Sequence, residues 1–176
     1  MHRRAALAGG LASLAAPRIG RGAEARPLRF IPQADLAVLD PVWTTAYQTR
    51  DHAFLVFDTL FGQDAGYAAQ LQMLDAAGPS SDGLRWDLRL RPGLRFHDGT
   101  PVLARDCVAS IRRWGARDTF GQALLAATDE LGAPDDRTIT FRLSRPFPLL
   151  PDALAKTAPS PCCIMPERLA ATDAFK

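Results

Sequence analysis

Between Leu84 and Arg91 the side chains alternate without a break. Leu84, Trp86, Leu88 and Leu90 are apolar, and Arg85, Asp87, Arg89 and Arg91 are charged. A period of two puts the apolar set on one face of a pleated strand and the charges on the other, so this segment predicts a sheet with one dry face and one wet face. Pro92-Gly93 stops the strand, Leu94-Arg95-Phe96 continues its edge, and Asp98-Gly99-Thr100 forms a tight turn. The period then changes. From Pro101 to Trp114 the residues Val102, Cys107, Val108, Ile111 and Trp114 recur at helical spacing, with Thr100 as cap ahead of a first-turn proline.

The rest of the chain reads as a mixture of short strands and helices. Leu28-Arg29-Phe30-Ile31 predicts a first strand, ended by Pro32, and Leu36 to Pro41 a turn. A helix is expected from Thr49 to Leu60, with Ala53, Phe57 and Leu60 on one face and burial on more than one side. Gln63 to Gly66 breaks it, Tyr67 to Asp75 reads as a loop, and Ser80-Ser81-Asp82-Gly83 as a turn. Further on, a helix is expected over Phe120 to Thr128 and a second alternating strand over Thr138 to Leu143. Short helices follow around Asp152 to Ala155 and over Met165 to Ala171. With 176 residues, 47% hydrophobic and 23% charged, the chain has the composition of an ordinary fold, which excludes whole-chain disorder and collagen-like structure. It is long enough for one core, so one domain or a piece of a larger one is expected.

Residues 1–25 have a different character. Met1-His2-Arg3-Arg4, a small apolar run from Ala5 to Ala16 and the ending Gly22-Ala23-Glu24-Ala25 give the charged, apolar and cleavage regions of an export signal. The run falls short of the roughly 20 residues that cross a bilayer. Arg3-Arg4 resembles a twin-arginine signal, and a Sec signal fits about as well. Export to the periplasm is the expectation. Four of the 21 basic residues and one of the 19 acidic ones lie in this leader, leaving 17 basic against 18 acidic residues in the remainder. No basic stripe is left to argue for nucleic acid as a partner. In an exported protein Cys107, Cys162 and Cys163 meet an oxidising compartment. Three readings stand: buried structural thiols, one bridge from Cys107 to either neighbour of the pair, or a metal site. The last is disfavoured by the absence of Cys-x-x-Cys and by the scatter of His2, His52 and His97.

Candidate functional residues are few. His97-Asp98 suggests an acid-base pair, but no nucleophile motif or phosphate loop accompanies it, and a structural turn is the simpler reading. Arg112-Arg113 beside Trp114 could hold an anion or a partner, against the default of a solvated helix face. Trp43, Thr44, Thr45 and Tyr47 combine stacking surface with hydrogen-bonding hydroxyls in a loop, as small-molecule sites do. Neither a catalytic residue, a metal ligand nor a cofactor is expected.

Several of these segments together resemble the family-5 extracytoplasmic solute-binding proteins, the dipeptide, oligopeptide and nickel-binding components of bacterial ABC importers. The segments are Leu28-Arg29-Phe30, Leu39-Asp40-Pro41, Asp58-Thr59-Leu60-Phe61, the run Leu90 to Pro101 and Asp106-Cys107-Val108-Ala109-Ser110. The Arg-x-Gly-x-x-Phe-His-Asp-Gly-Thr-Pro pattern, here Arg91 to Pro101 with Pro92 as second residue, is the most specific. The resemblance implies an α/β fold with an α+β subdomain, of the periplasmic binding protein-like type II class, with residues 26–176 supplying only a first-lobe portion. Two departures are local: a tryptophan usual near Ala76-Ala77 is missing, and Cys162-Cys163 stands in a region expected to be cysteine-poor.

The resemblance also implies a non-enzymatic role: capture of a peptide-like small solute and delivery to ABC permease subunits in the membrane, with Trp43, Thr44 and Tyr47 facing the ligand. It makes the His-Asp-Gly-Thr-Pro turn scaffold. A truncated gene product without a transport role is the competing reading, and an exported hydrolase using His97 and Asp98 the least favoured. The solute stays open among peptides, a nickel complex, glutathione and opine-like molecules.

Overall fold

A computed structural model describes residues 28–175, and the expected signal at residues 1–25 lies outside them. In chain order the elements are α1 (Tyr47–Val56), β1 (Asp58–Thr59), β2 (Phe61–Gln63), β3 (Ala69–Leu71), β4 (Leu74–Pro79), β5 (Arg85–Leu90), α2 (Ala104–Arg117), α3 (Thr119–Ala126), β6 (Thr128–Gly132), β7 (Thr138–Leu143), α4 (Leu150–Ala155), β8 (Cys163–Ile164) and α5 (Glu167–Ala170).

The two alternating segments form the centre of a four-stranded antiparallel sheet ordered β4-β5-β7-β6. Trp86 stands opposite Phe141 and Leu88 opposite Ile139, so the dry faces of β5 and β7 coincide. Trp86, Leu88, Leu90, Ile139, Phe141 and Leu143 are buried in one core with Cys107, Val108, Ile111 and Trp114 of α2 and Leu124 of α3. Each large apolar side chain removed from water there contributes roughly 2–3 kcal/mol. The wet face carries its charges in pairs: Arg85 with Asp87, Arg89 with Asp75 and Arg142 with Glu130, all at 3.0–3.1 Å.

The outer strands differ from the sequence expectation. Tyr67 to Asp75 contains β3 and the start of β4, and β6 follows α3 directly. Ala76, Ala77, Gly78 and Pro79 have poor strand propensity, and Asp129 and Glu130 interrupt the apolar pattern of β6. Pairing to β5 and β7 makes these segments strands in spite of their composition. Leu28 to Ile31, by contrast, is not a strand, and Leu28, Phe30 and Ile31 are exposed. Alternation alone cannot make a strand without a neighbour to pair with.

Two helices also start or end elsewhere than expected. α2 begins at Ala104 because Arg95 and Pro101 close an antiparallel bridge and Val102 donates its N–H to the Leu94 carbonyl. Thr100 is occupied with Asp98 (2.6 Å), and the start of α2 is held instead by Asp106, whose Oδ2 accepts the Leu103 N–H at 2.8 Å. α1 ends at Val56, where Phe57 returns its N–H to Ala53, and buries only Thr49 and Ala53. Phe54, Leu55 and Val56 are exposed, so α1 is one-sided rather than buried on more than one side.

α2 and α3 meet at two glycines. A Cβ on Gly121 would lie 2.8 Å from Cα of Gly115 and 2.9 Å from the Trp114 ring, and one on Gly115 would lie 2.3 Å from Cδ1 of Leu125. The sharp corner between the helices is fixed by Asp118, which caps α3 by accepting the N–H groups of Phe120 (2.9 Å) and Gly121 (3.1 Å) and pairs with Lys156.

Candidate functional site

α2 carries a polar line along one side. Asp106, Ser110, Arg113 and Arg117 are spaced four, three and four residues apart and therefore share a face. Each is bonded to a segment distant in sequence. Asp106 Oδ1 accepts the Glu167 N–H at 2.8 Å, and Ser110 Oγ accepts the Met165 N–H at 3.0 Å, which docks β8 and α5 onto the helix. Arg113 donates through Nε to the Thr172 carbonyl (3.1 Å) and forks onto Asp40, Nη1 to Oδ1 at 2.9 Å and Nη2 to Oδ2 at 2.6 Å. Arg117 Nη2 donates to the Trp43 carbonyl at 2.8 Å.

These bonds fix the loop ahead of α1. Asp40 Oδ1 also accepts the Val42 N–H (2.9 Å), Pro41 and Val42 are buried, and Thr49 Oγ1 donates back to the Val38 carbonyl at 2.6 Å. Burial works to raise the Asp40 carboxyl pKa, but the Arg113 fork and charge and the amides of Val42 and Trp43 prevail and hold it below the usual carboxylate value. The carboxylate is thus a fixed negative partner for a buried guanidinium. Behind the loop lies a hollow of about 250 Å³ lined by Leu39, Pro41, Phe57, Met165 and Leu169, with the Asp40–Arg113 pair on its wall.

The main chain of this loop is anchored while its aromatic side chains stay accessible. Trp43 is 40% and Tyr47 55% exposed, and Thr45 is exposed. Thr44 Oγ1 accepts the Ala46 N–H (3.3 Å) just ahead of α1. The Arg50 guanidinium sits 4.7 Å from the Tyr47 ring centroid and pairs with Asp51, leaving Tyr47 with one face covered by a cation. Trp43 and Thr44 lie in the loop and Tyr47 is the first residue of α1, so three named residues come from one short anchored stretch. Among the described residues no strand precedes the loop. The sequence reading missed the anchors, although the four-three-four spacing of polar residues on α2 was there to be read.

The Arg112-Arg113 pair is not a solvated face. Successive residues point about 100° apart around a helix. Arg113 is buried against Asp40, while exposed Arg112 reaches the Leu131 carbonyl at 2.6 Å. At the His97-Asp98 turn, Asp98 accepts the Thr100 N–H and hydroxyl and pairs with Arg168 at 3.1 Å. Gly99 takes a left-handed φ of 83°, which a side chain would strain. Asp98 is engaged in building the turn, as the scaffold reading expects. The three cysteines are buried free thiols. Burial pushes all of them up, Cys163 to about 12. Among the described residues no group of three His, Cys, Asp or Glu side chains is placed to hold a metal.

The fold is that of a portion of a type II periplasmic binding protein, on its likeness to solved structures of such proteins. The structure of the PBP/SBP MoaA in complex with mannopinic acid from A. tumefaciens R10 is similar, with a TM-score of 0.66 and 25% identity over 77% of this chain and 28% of that one. The model of the bacterial extracellular solute-binding proteins, family 5 Middle, matches residues 70–171, and the chain belongs to that family. It is 43% identical over 125 residues to the probable peptide ABC transporter periplasmic-binding protein y4tO of Sinorhizobium fredii, covering 71% of this chain and 24% of the relative. To the glutathione-binding protein GsiB of Pectobacterium atrosepticum it is 30% identical over 122 residues, covering 68% and 24%. The chain thus spans about a quarter of the length of the curated relatives it matches.

Proposed function

We propose that this chain is the solute-binding part of a bacterial ABC importer, exported to the periplasm by residues 1–25. In this reading residues 26–176 form a first-lobe portion that takes part in capturing a peptide-like small solute for the permease subunits. Membership of a solute-binding family carries the proposal. The loop adds its chemistry: Trp43 and Tyr47 offer ring faces for an apolar or planar group, and the Thr44 side chain offers a polar contact beside them. Because Asp40, Arg113 and Arg117 hold the main chain, binding there does not require the loop to be ordered first.

The solute classes to test follow from the relatives: a peptide, with a dipeptide as the probe, glutathione and mannopinic acid. Calorimetric titration of the chain with each, repeated with Trp43→Ala, tests the proposal. Saturable heat with one of the three, weakened at least tenfold by Trp43→Ala, is expected. Binding that is indifferent to Trp43 would remove the loop from the site, and no saturable heat with any of the three would contradict capture of these solutes by this chain.

A further inference from the structure

Two arginines one helical turn apart each hold the same pair of segments. Arg113 bonds the Asp40 carboxylate on one side and the carbonyls of Thr172 (3.1 Å) and Asp173 (3.4 Å) on the other. Arg117 bonds the Trp43 carbonyl, and its guanidinium lies 4.8 Å from the Phe175 ring centroid. We propose that Arg113 and Arg117 are positioning residues that set where Trp43 stands and couple that position to the segment 172–175. This rests on the reading of Trp43 as a ligand-facing residue.

Three observations carry it. Trp43 is held through its carbonyl by Arg117, so the clamp fixes the main chain from which the ring springs. Arg113 is buried and tied to both segments, and shifting either away would leave a buried cation short of partners, an outcome the fold strongly resists. Arg117 is half-buried, so its clamp is the weaker and more adjustable of the two. Displacement of Phe175 therefore loosens Arg117 first, and Trp43 with it, while Arg113 keeps Asp40 and the base of the loop in place.

Trp43 can be read selectively, because Trp86 is 8% and Trp114 0% exposed. The test is acrylamide quenching of tryptophan emission in the full chain. Acrylamide is neutral, so removing an arginine does not change its local concentration by charge. Trp43→Phe identifies the quenchable component. Arg117→Met and Phe175→Ala should each raise the Trp43 quenching constant, by up to about twofold as the ring moves from partial to full exposure. Their effects should not add, and Arg117→Lys should restore part of the protection. Arg113→Lys should not substitute for its parent, because an ammonium cannot fork onto Asp40.

Arg117→Met and Phe175→Ala touch no buried charge, so they report even if an Arg113 variant fails to fold. Wild-type quenching in both, with cooperative melting retained, would overturn the proposal, as would a response to Arg117→Met with none to Phe175→Ala. No solute is needed. A failed solute titration with positive quenching data would therefore count against those solutes and leave the clamp standing, and the converse would spare the function alone.

Discussion

Asp40 and Arg113, 73 residues apart, are joined by two hydrogen bonds of 2.9 and 2.6 Å, and the arginine side chain is only 3% exposed. A bidentate pair of this kind holds both position and plane. Asp40→Ala would strand the guanidinium, at a cost of about 3 kcal/mol. Denaturant unfolding should show a lower midpoint with an unchanged slope. An unchanged midpoint would mean that the pair does not secure the loop.

The same pair predicts an acid response. The folded-state pKa of Asp40 lies below its unfolded value. Its contribution is therefore complete above the ordinary carboxylate pKa of about 3.9 and is lost as pH falls through the lower folded value. Asp40→Asn should melt below wild type at neutral pH, and the gap should narrow only below about pH 4. A gap that closes between pH 7 and 5 would implicate a different group.

The contact between α2 and α3 makes a steric prediction. Gly121→Ala drives a methyl to within 2.9 Å of the Trp114 ring and should cost about 1–3 kcal/mol by overpacking. Gly78→Ala on β4, where a Cβ meets nothing within 4 Å, is the control and should be near neutral. Equal melting temperatures for the two variants would show that the helices can separate without penalty.

The central sheet was legible because β5 and β7 alternate strictly, and the face of α2 that covers them because its apolar residues recur at helical spacing. The edges were not. β4 and β6 are strands by virtue of their partners, and residues 28–31 lack one, so local pattern misleads in both directions. Trp43, Thr44, Thr45 and Tyr47 stand out by residue type, and the family resemblance narrows them to Trp43, Thr44 and Tyr47. What holds them does not stand out, because Arg113 finds Asp40 across 73 residues and adjacent Arg112 shares its type but not its role.

The cysteines should be inert in the folded chain. Burial raises their thiol pKa values, Cys163 to about 12, so little thiolate forms near neutral pH and reagent cannot reach it. A maleimide at pH 8 should label none of the three before unfolding and all three in guanidinium. Rapid native labelling of Cys163 would show that β8 opens.

If the anchored loop faces the solute, Trp43 emission must respond to the solute. The chain is titrated with a dipeptide, glutathione and mannopinic acid while tryptophan emission is followed, in wild type and in Trp43→Phe. The account predicts a saturable change with one of them that vanishes in Trp43→Phe, since Trp86 and Trp114 are buried. A saturable change that survives Trp43→Phe would place the solute elsewhere and contradict the account.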